Sequence, residues 1–134
     1  MAKLEYIEGI GKTYAGKLIQ AGVKSTNALL NQGSTPKGRE EIAKASGISK
    51  KLVLEWVNHV DLMRVKGVGS EFADLLEAAG VDTVVELSKR KPKNLHEALI
   101  AMNEKKKLVR RIPGEVQVEK WIAAAKGLPR MIKY

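Results

Sequence analysis

The chain has 134 residues, which allows one globular domain or two very small ones and excludes a large multidomain enzyme. Its 24 lysines and arginines outnumber its 15 aspartates and glutamates, so the net charge is +9 and the expected partner is a polyanion, nucleic acid first. Cysteine is absent, and the two histidines, His59 and His96, lie far apart in sequence, so we expect neither disulfides nor a metal site. No apolar run has the length of a signal peptide or a membrane span, and we therefore expect a cytoplasmic protein without membrane contact.

The first half of the chain carries the start and stop signals of four short helices. A tight turn at Gly9 to Gly11 opens a helix that places Leu18 and Ile19 on its apolar face and ends at Gly22. Serine and threonine, whose side chains accept hydrogen bonds from the first N–H groups of a helix, mark the next three starts. These starts are Ser25 or Thr26, Thr35 followed by Pro36, and Ser49, which opens the helix that carries Trp56.

The second half of the chain shows the same order of signals. The predicted helix starts are Ser70, Thr83 or Asp82, and Asn94, and a final helix carries Trp121. No stretch shows the strict two-residue alternation of a strand. The predicted fold class is therefore all-α.

An internal repeat relates the two halves. Gly9-Ile10-Gly11 returns as Gly67-Val68-Gly69, and Tyr14 after the first turn returns as Phe72 after the second. Both pairs are separated by the same distance in sequence, which indicates that one supersecondary unit occurs twice.

The repeat predicts the domain organisation. The first repeat spans 1–64 and the second 65–134, each with four to five short helices. Matching positions late in the two repeats are about seven residues further apart than early ones, which predicts an insertion around 104–115. The second repeat ends in a basic part, with 13 basic and 4 acidic side chains in residues 89–134. No linker separates the repeats, and we expect them to pack as one body.

The first glycine turn has the features of an anion site. Glycine adopts a positive φ without a Cβ clash, so glycines on both sides of one apolar residue allow a helix to reverse within a few residues. The N–H groups at the start of the next helix then point outward at the positive end of its dipole. Lys12 and Thr13 follow this turn, and Lys17 lies one helical turn further on, an arrangement that suits a phosphate.

The Gly-apolar-Gly turns resemble the helix-hairpin-helix motif. This resemblance implies binding of the DNA backbone by main-chain amides, without reading of the base sequence, and a monovalent cation on the hairpin carbonyls. The order of Ala21-Gly22-Val23, Leu29-Leu30 and a turn at Gly47-Ile48-Ser49 is similar to the paired-hairpin domains at the N-termini of recombinases. The chain as a whole, over about residues 4 to 128, resembles a bacterial and archaeal family of such tandem repeats that is described as a domain of unknown function.

The second hairpin differs from the first in charge. Gly67, Val68 and Gly69 are followed by Ser70 and Glu71, and the Glu71 carboxylate would compete for the same N–H groups and repel phosphate. We interpret this hairpin as mainly structural.

Further candidate contacts to a nucleic-acid backbone are basic residues beside weaker turns. Runs of lysine also occur as solvated helix surface, so each of these residues has a structural interpretation as well. Together with Gly9, Ile10, Gly11, Lys12, Thr13 and Lys17, the candidates are Gly47, Ser49, Lys50, Lys51, Lys105, Lys106, Lys107, Arg110 and Arg111.

Two functions remain open from the sequence. The first is binding of nucleic acid, double-stranded DNA above all, because only six aromatic residues are present and a stacking platform for single strands is not expected. The alternative is a protein-interaction adaptor or self-associating module, since an acidic segment, 65–88, precedes the basic C-terminal part. We find no set of nucleophile, base and orienting residue, and therefore expect neither catalysis nor a cofactor other than the hairpin cation.

Overall fold

The computed structural model describes residues 3–7 and 9–134, and every regular element among them is helical. This part of the chain contains no strand, which confirms the predicted all-α class. Met1, Ala2 and Glu8, which belong to the predicted first repeat, lie outside the described residues. After a 3-10 turn at Leu4–Tyr6, the described helices are α1 Lys12–Gln20, α2 Thr26–Gln32, α3 Pro36–Ser46, α4 Lys50–Leu62, α5 Ser70–Ala78, α6 Val84–Ser88, α7 Pro92–Lys106 and α8 Glu115–Lys126.

The helices form two compact units, and each unit has its own apolar core. The first unit comprises Met1–Asp61 together with the last four residues, Met131–Tyr134, and the second comprises Leu62–Arg130. Among the described helices, none combines the length and the apolar character needed to cross a lipid bilayer.

Side-chain caps begin three helices of the first unit, as predicted. The hydroxyls of Ser25, Thr35 and Ser49 each accept a hydrogen bond from the backbone N–H three residues further on, at 3.0 to 3.2 Å. Ser25 is the N-cap of α2, and Thr26 is its first helical residue. Pro36 occupies the first turn of α3, where its missing N–H costs no hydrogen bond.

The core of the first unit is built around Trp56 of α4, which is 4% exposed and packs against the edge of the Tyr14 ring at a centroid distance of 5.1 Å. Leu18 of α1 is fully buried beside it. The expectation that Ile19 shares this face is wrong, because its side chain is 47% exposed. Consecutive residues of a helix differ by about 100° in direction, and the narrow buried stripe of α1 ends at Leu18.

The last four residues are tied to the first unit by main-chain hydrogen bonds. The N–H of Lys133 donates to the carbonyl of Ser34 at 2.7 Å, and Ile132 is 3% exposed in the first core. The guanidinium of Arg39 donates to the carbonyls of Gly33 and Lys133 at 2.9 and 2.8 Å. Burial of the guanidinium lowers the pKa of Arg39, because loss of water disfavours its charged form, and the two carbonyls compensate for that loss.

Two of the three predicted helix starts in the second unit are wrong. Gly69, not Ser70, is the N-cap of α5, because the extended residue after the hairpin comes one position earlier. Helix α7 begins after Lys91, three residues before the predicted N-cap Asn94, because the intervening proline has the φ of a first helical residue. At α6 the N-cap is Thr83, one of the two predicted alternatives.

The connection between α7 and α8 is longer than its counterpart in the first unit. Residues 107–114 connect α7 to α8, whereas residues 47–49 connect α3 to α4. The amide side chain of Asn103 holds this connection, since it donates to the carbonyl of Val109 at 3.1 Å and accepts from its N–H at 3.0 Å.

Candidate functional site

The first hairpin turns the chain into α1 around one buried side chain. Gly9 has a φ of +88°, Ile10 is 4% exposed, and the Ile10 N–H donates to the carbonyl of Ile7 at 3.1 Å. Ile10 therefore fixes the turn to the first core while both glycines stay exposed. Gly11 is extended and forms the N-cap of α1.

The N-terminus of α1 presents backbone N–H groups for which the described residues offer no acceptor. The first helical hydrogen bond runs from the N–H of Ala15 to the carbonyl of Gly11 at 2.9 Å. No described residue accepts from the N–H of Lys12 or Thr13, and Gly11 has no side chain that could cap them. The first turn of α1 contains no acidic residue, and Lys12, Thr13 and Lys17 are all exposed. The positive end of a helix dipole is thus open and flanked by cations, which is the arrangement of an anion site.

The two glycines of this hairpin have different backbone requirements. Only Gly9 lies in the region of φ that favours glycine. Gly11 has a φ of −87°, which any residue adopts, and a Cβ built there has no neighbour within 4 Å. The expectation that both glycines serve the reversal is therefore corrected, because the turn needs a glycine only at its first position. A bare Gly11 leaves space in front of the N–H groups of α1.

Lys17 is oriented by an aromatic ring. Its ammonium lies 5.9 Å from the centroid of Tyr14, a cation–π contact, and Tyr14 in turn packs on Trp56. This contact keeps the ammonium group of Lys17 close to the surface of α1, and the side chain remains exposed to solvent.

The second hairpin has the same backbone geometry but a different charge. Gly67 has a φ of +93°, Val68 is 4% exposed, and Gly69 is the extended N-cap of α5. The first turn of α5 contains Ser70, which is half-buried, and Glu71, which is exposed. The carboxylate of Glu71 lies where it lowers the attraction of this helix end for an anion.

At the turn between α3 and α4, the side chain of Ser49 occupies part of the helix N-terminus. Gly47 has a φ of +74° and ends α3, and Ile48 is 4% exposed in the first core. The Ser49 hydroxyl accepts a hydrogen bond from the N–H of Leu52. Fewer N–H groups are therefore available to a ligand at this helix end than at α1. The candidates Lys50 and Lys51 occupy the first turn of α4 and are exposed.

The densest basic run belongs to the second unit. Lys105 and Lys106 lie in the last turn of α7, where lysine complements the negative end of the helix dipole, and Lys107 ends that helix with a φ of +51°. Arg110 and Arg111 are exposed in the connection to α8. The candidate residues thus lie at two turns of the first unit and one connection of the second.

The two tryptophans have a feature that the sequence did not predict. Both are buried, with Trp56 and Trp121 4% and 2% exposed. Their indole Nε1 atoms also lie beside the hairpin glycines, 3.8 Å from a Cβ built on Gly9 and 3.1 Å from one built on Gly67. The available signal was the recurrence of a glycine turn and a tryptophan in the same order in both halves.

Comparison with known proteins gives one match. The family model "Domain of unknown function (DUF4332)" matches residues 8–128. No curated protein and no solved structure matches the chain.

Proposed function

Because the chain belongs to the DUF4332 family, whose description names no activity, we propose a function from its own residues: it binds the backbone of duplex DNA without reading the base sequence. The contact is made by main-chain amides and a basic surface. The protein acts in the cytoplasm as a binding module and not as an enzyme.

The observation that carries this proposal is the open N-terminus of α1. The N–H groups of Lys12 and Thr13 have no acceptor among the described residues, and none of these residues, apart from its chain neighbours, has an atom within 4 Å of a Cβ built on Gly11. A phosphodiester oxygen accepts hydrogen bonds from two adjacent N–H groups of this kind, and the helix dipole adds to the attraction. Lys12 and Thr13 are exposed, so a phosphate can approach their N–H groups, which it could not do if these residues were buried.

The likeness between the two hairpins supports an interpretation as tandem helix-hairpin-helix repeats. Gly9 and Gly67 have φ values of +88° and +93°, and each is followed by a buried apolar residue and an extended glycine. In this interpretation the first hairpin is the main contact, and the first unit is similar to the paired-hairpin domains at the N-termini of recombinases. A monovalent cation on the carbonyls of the turn belongs to the same proposal.

Charge supports a contact with the backbone of nucleic acid. The exposed cations beside the two turns of the first unit are Lys12, Lys17, Lys50 and Lys51, and the whole chain has a net charge of +9. Contacts of this type neutralise phosphates irrespective of sequence. The second unit has exposed cations of its own in the basic run Lys105–Lys107 with Arg110 and Arg111.

The test exploits Gly11, where a side chain fits the fold. In Gly11→Asp the new carboxylate would accept hydrogen bonds from the N–H groups of α1, as an N-cap aspartate does. It would also repel phosphate. We expect unchanged or slightly higher thermal stability, and duplex binding that is weaker by about tenfold or more, since hydrogen bonds to charged groups are the stronger class. Fluorescence anisotropy with a labelled 20-mer duplex measures the affinity.

The second hairpin provides the matched control. Gly69→Asp introduces the same carboxylate at an N-cap of equal geometry, with φ −92° against −87° and no neighbour within 4 Å. We expect this variant to bind the duplex as the unchanged protein does. If Gly11→Asp binds equally well, the hairpin is not the contact, and if the unchanged protein does not bind duplex at low salt, the proposed function is wrong.

A further inference from the structure

The second unit contains an open groove along α8. Its volume is about 770 Å³, which lies in the range of ligand-binding clefts. The residues that line it are Lys66, Gly67, Gly114, Val116, Gln117, Lys120, Trp121 and Ala124.

The floor of the groove is largely apolar. Gln117, Trp121 and Ala124 follow one another at helical spacing, so one face of α8 forms the floor. Val116 at its end is 66% exposed, one of the few large apolar side chains of the chain left in solvent. An exposed apolar side chain beside a groove is typical of a surface that another molecule covers.

One end of the groove is the N-terminus of α8. Its N-cap, Gly114, has no side chain, and the first helical hydrogen bond runs from Val118 to the carbonyl of Gly114 at 3.0 Å. Within the described residues, the N–H groups of Val116 and Gln117 have no acceptor. The first turn of α8 also contains Glu115, whose exposed carboxylate lowers the attraction of this helix end for an anion, as Glu71 does at α5.

A second donor in the groove is independent of this helix end. Trp121 is 2% exposed, and its indole Nε1 lies on the side of Gly67, itself a lining residue. No acceptor for the indole N–H is found in the described part of the chain, and Nε1 is not one of the fully buried atoms that lack a partner, so the N–H of this otherwise buried side chain reaches solvent. Lys66 and Lys120 are exposed at the rim, and no acidic side chain lines the groove.

We propose that this groove binds a peptide segment of a partner protein in which a carboxylate lies beside apolar side chains. The carboxylate accepts from the indole of Trp121, with Lys66 and Lys120 beside it. The apolar side chains cover Val116 and Ala124. This binding site is additional to the DNA contact of the first hairpin.

An acidic peptide fits the groove better than a nucleic-acid backbone. A phosphodiester chain offers nothing to cover Val116 or the apolar floor of α8. The hairpin side of the groove belongs to segment 65–88, which has one basic and five acidic side chains. This net negative charge disfavours a polyanion but permits a single carboxylate flanked by two lysines.

The test follows the two indole N–H resonances of the ¹⁵N-labelled full chain by NMR, assigned with Trp56→Phe. The probe is the acetylated and amidated peptide ELELEL, compared with QLQLQL and EGEGEG, which lack the carboxylates and the apolar side chains respectively. We expect ELELEL to shift the Trp121 resonance saturably and to leave the Trp56 resonance in place, and both comparison peptides to bind more weakly.

Charge reversal at the rim tests the lysines. In the double variant Lys66→Glu with Lys120→Glu, we expect the affinity for ELELEL to fall about tenfold or more, since two attractive charges become repulsive. Lys93→Glu, also exposed in the second unit but outside the groove, should have no effect. All three lysines are exposed, and the dispersion of the amide spectrum reports whether the variants are folded.

Three results would overturn the proposal. The first is a Trp121 resonance that millimolar ELELEL does not move. The second is equal affinity for QLQLQL, which would make the groove merely apolar. The third is a shift of Trp121 by the 20-mer duplex but not by ELELEL, which would assign the groove to the nucleic-acid surface.

Discussion

At the scale of single residues, positive-φ glycines differ in what surrounds them. Gly67 and Gly80 both have a φ of +93° and both belong to the second unit. A Cβ at Gly80 would have no neighbour within 4 Å, whereas one at Gly67 would lie 3.1 Å from Trp121 Nε1. The pair therefore separates the cost of the backbone conformation from the cost of a close contact.

We predict that Gly80→Ala lowers the free energy of unfolding by about 1–2 kcal/mol, the cost of a left-handed conformation for an L-residue. Gly67→Ala should lower it by that amount and about 0.5–1 kcal/mol more, because the buried indole must shift within a packed core. Urea denaturation followed by circular dichroism measures both values. Equal losses would mean that Trp121 yields to the added methyl group without cost.

At the scale of helices and turns, local signals predicted most of the structure. Ser25, Thr35 and Ser49 act through hydrogen bonds to N–H groups three residues away, so the sequence alone contains the information. The two wrong starts, Ser70 and Asn94, arose where a glycine hairpin or a proline competed with a polar cap. In both cases a fixed backbone conformation outweighed the preference of a side chain.

The connection between α7 and α8 depends on one amide side chain. We predict that Asn103→Ala lowers the free energy of unfolding by about 1–3 kcal/mol, because the N–H and the carbonyl of Val109 lose their partner. Hydrogen exchange of the Val109 amide should become faster, and Asn94→Ala on the exposed face of the same helix should change neither quantity much. Indistinguishable exchange in the two variants would contradict the role given to Asn103.

At the scale of the whole molecule, charge sets how binding responds to salt. If four to six lysines and arginines neutralise phosphates, the logarithm of the affinity should fall against that of salt with a slope of about −3.6 to −5.4. Affinity for the 20-mer duplex would then fall about 150-fold to 2,000-fold between 50 and 200 mM salt. Anisotropy titrations at several salt concentrations measure the slope, and a flat response would argue against a basic contact surface.

The parts that sequence analysis missed depend on contacts between distant residues. The candidate anion site at α1 follows from neighbours in the chain, so the sequence alone was enough to suggest it. The hydrogen bonds of Arg39 could not be predicted from the sequence, because one acceptor is the carbonyl of Lys133, 94 positions further along the chain. The Trp121 groove likewise requires the hairpin at Gly67 and α8 to meet, which periodicity does not reveal.

The return of Met131–Tyr134 to the first unit has a consequence for protein synthesis. A ribosome delivers the chain from its N-terminus, so Leu62–Arg130 emerges before Ile132 can enter the first core. The nascent chain can therefore assemble most of the earlier unit while that unit still lacks its last buried side chain. Lys133 reaches Arg39 and Ser34 only after the whole second unit has been translated, so the region translated first is completed late.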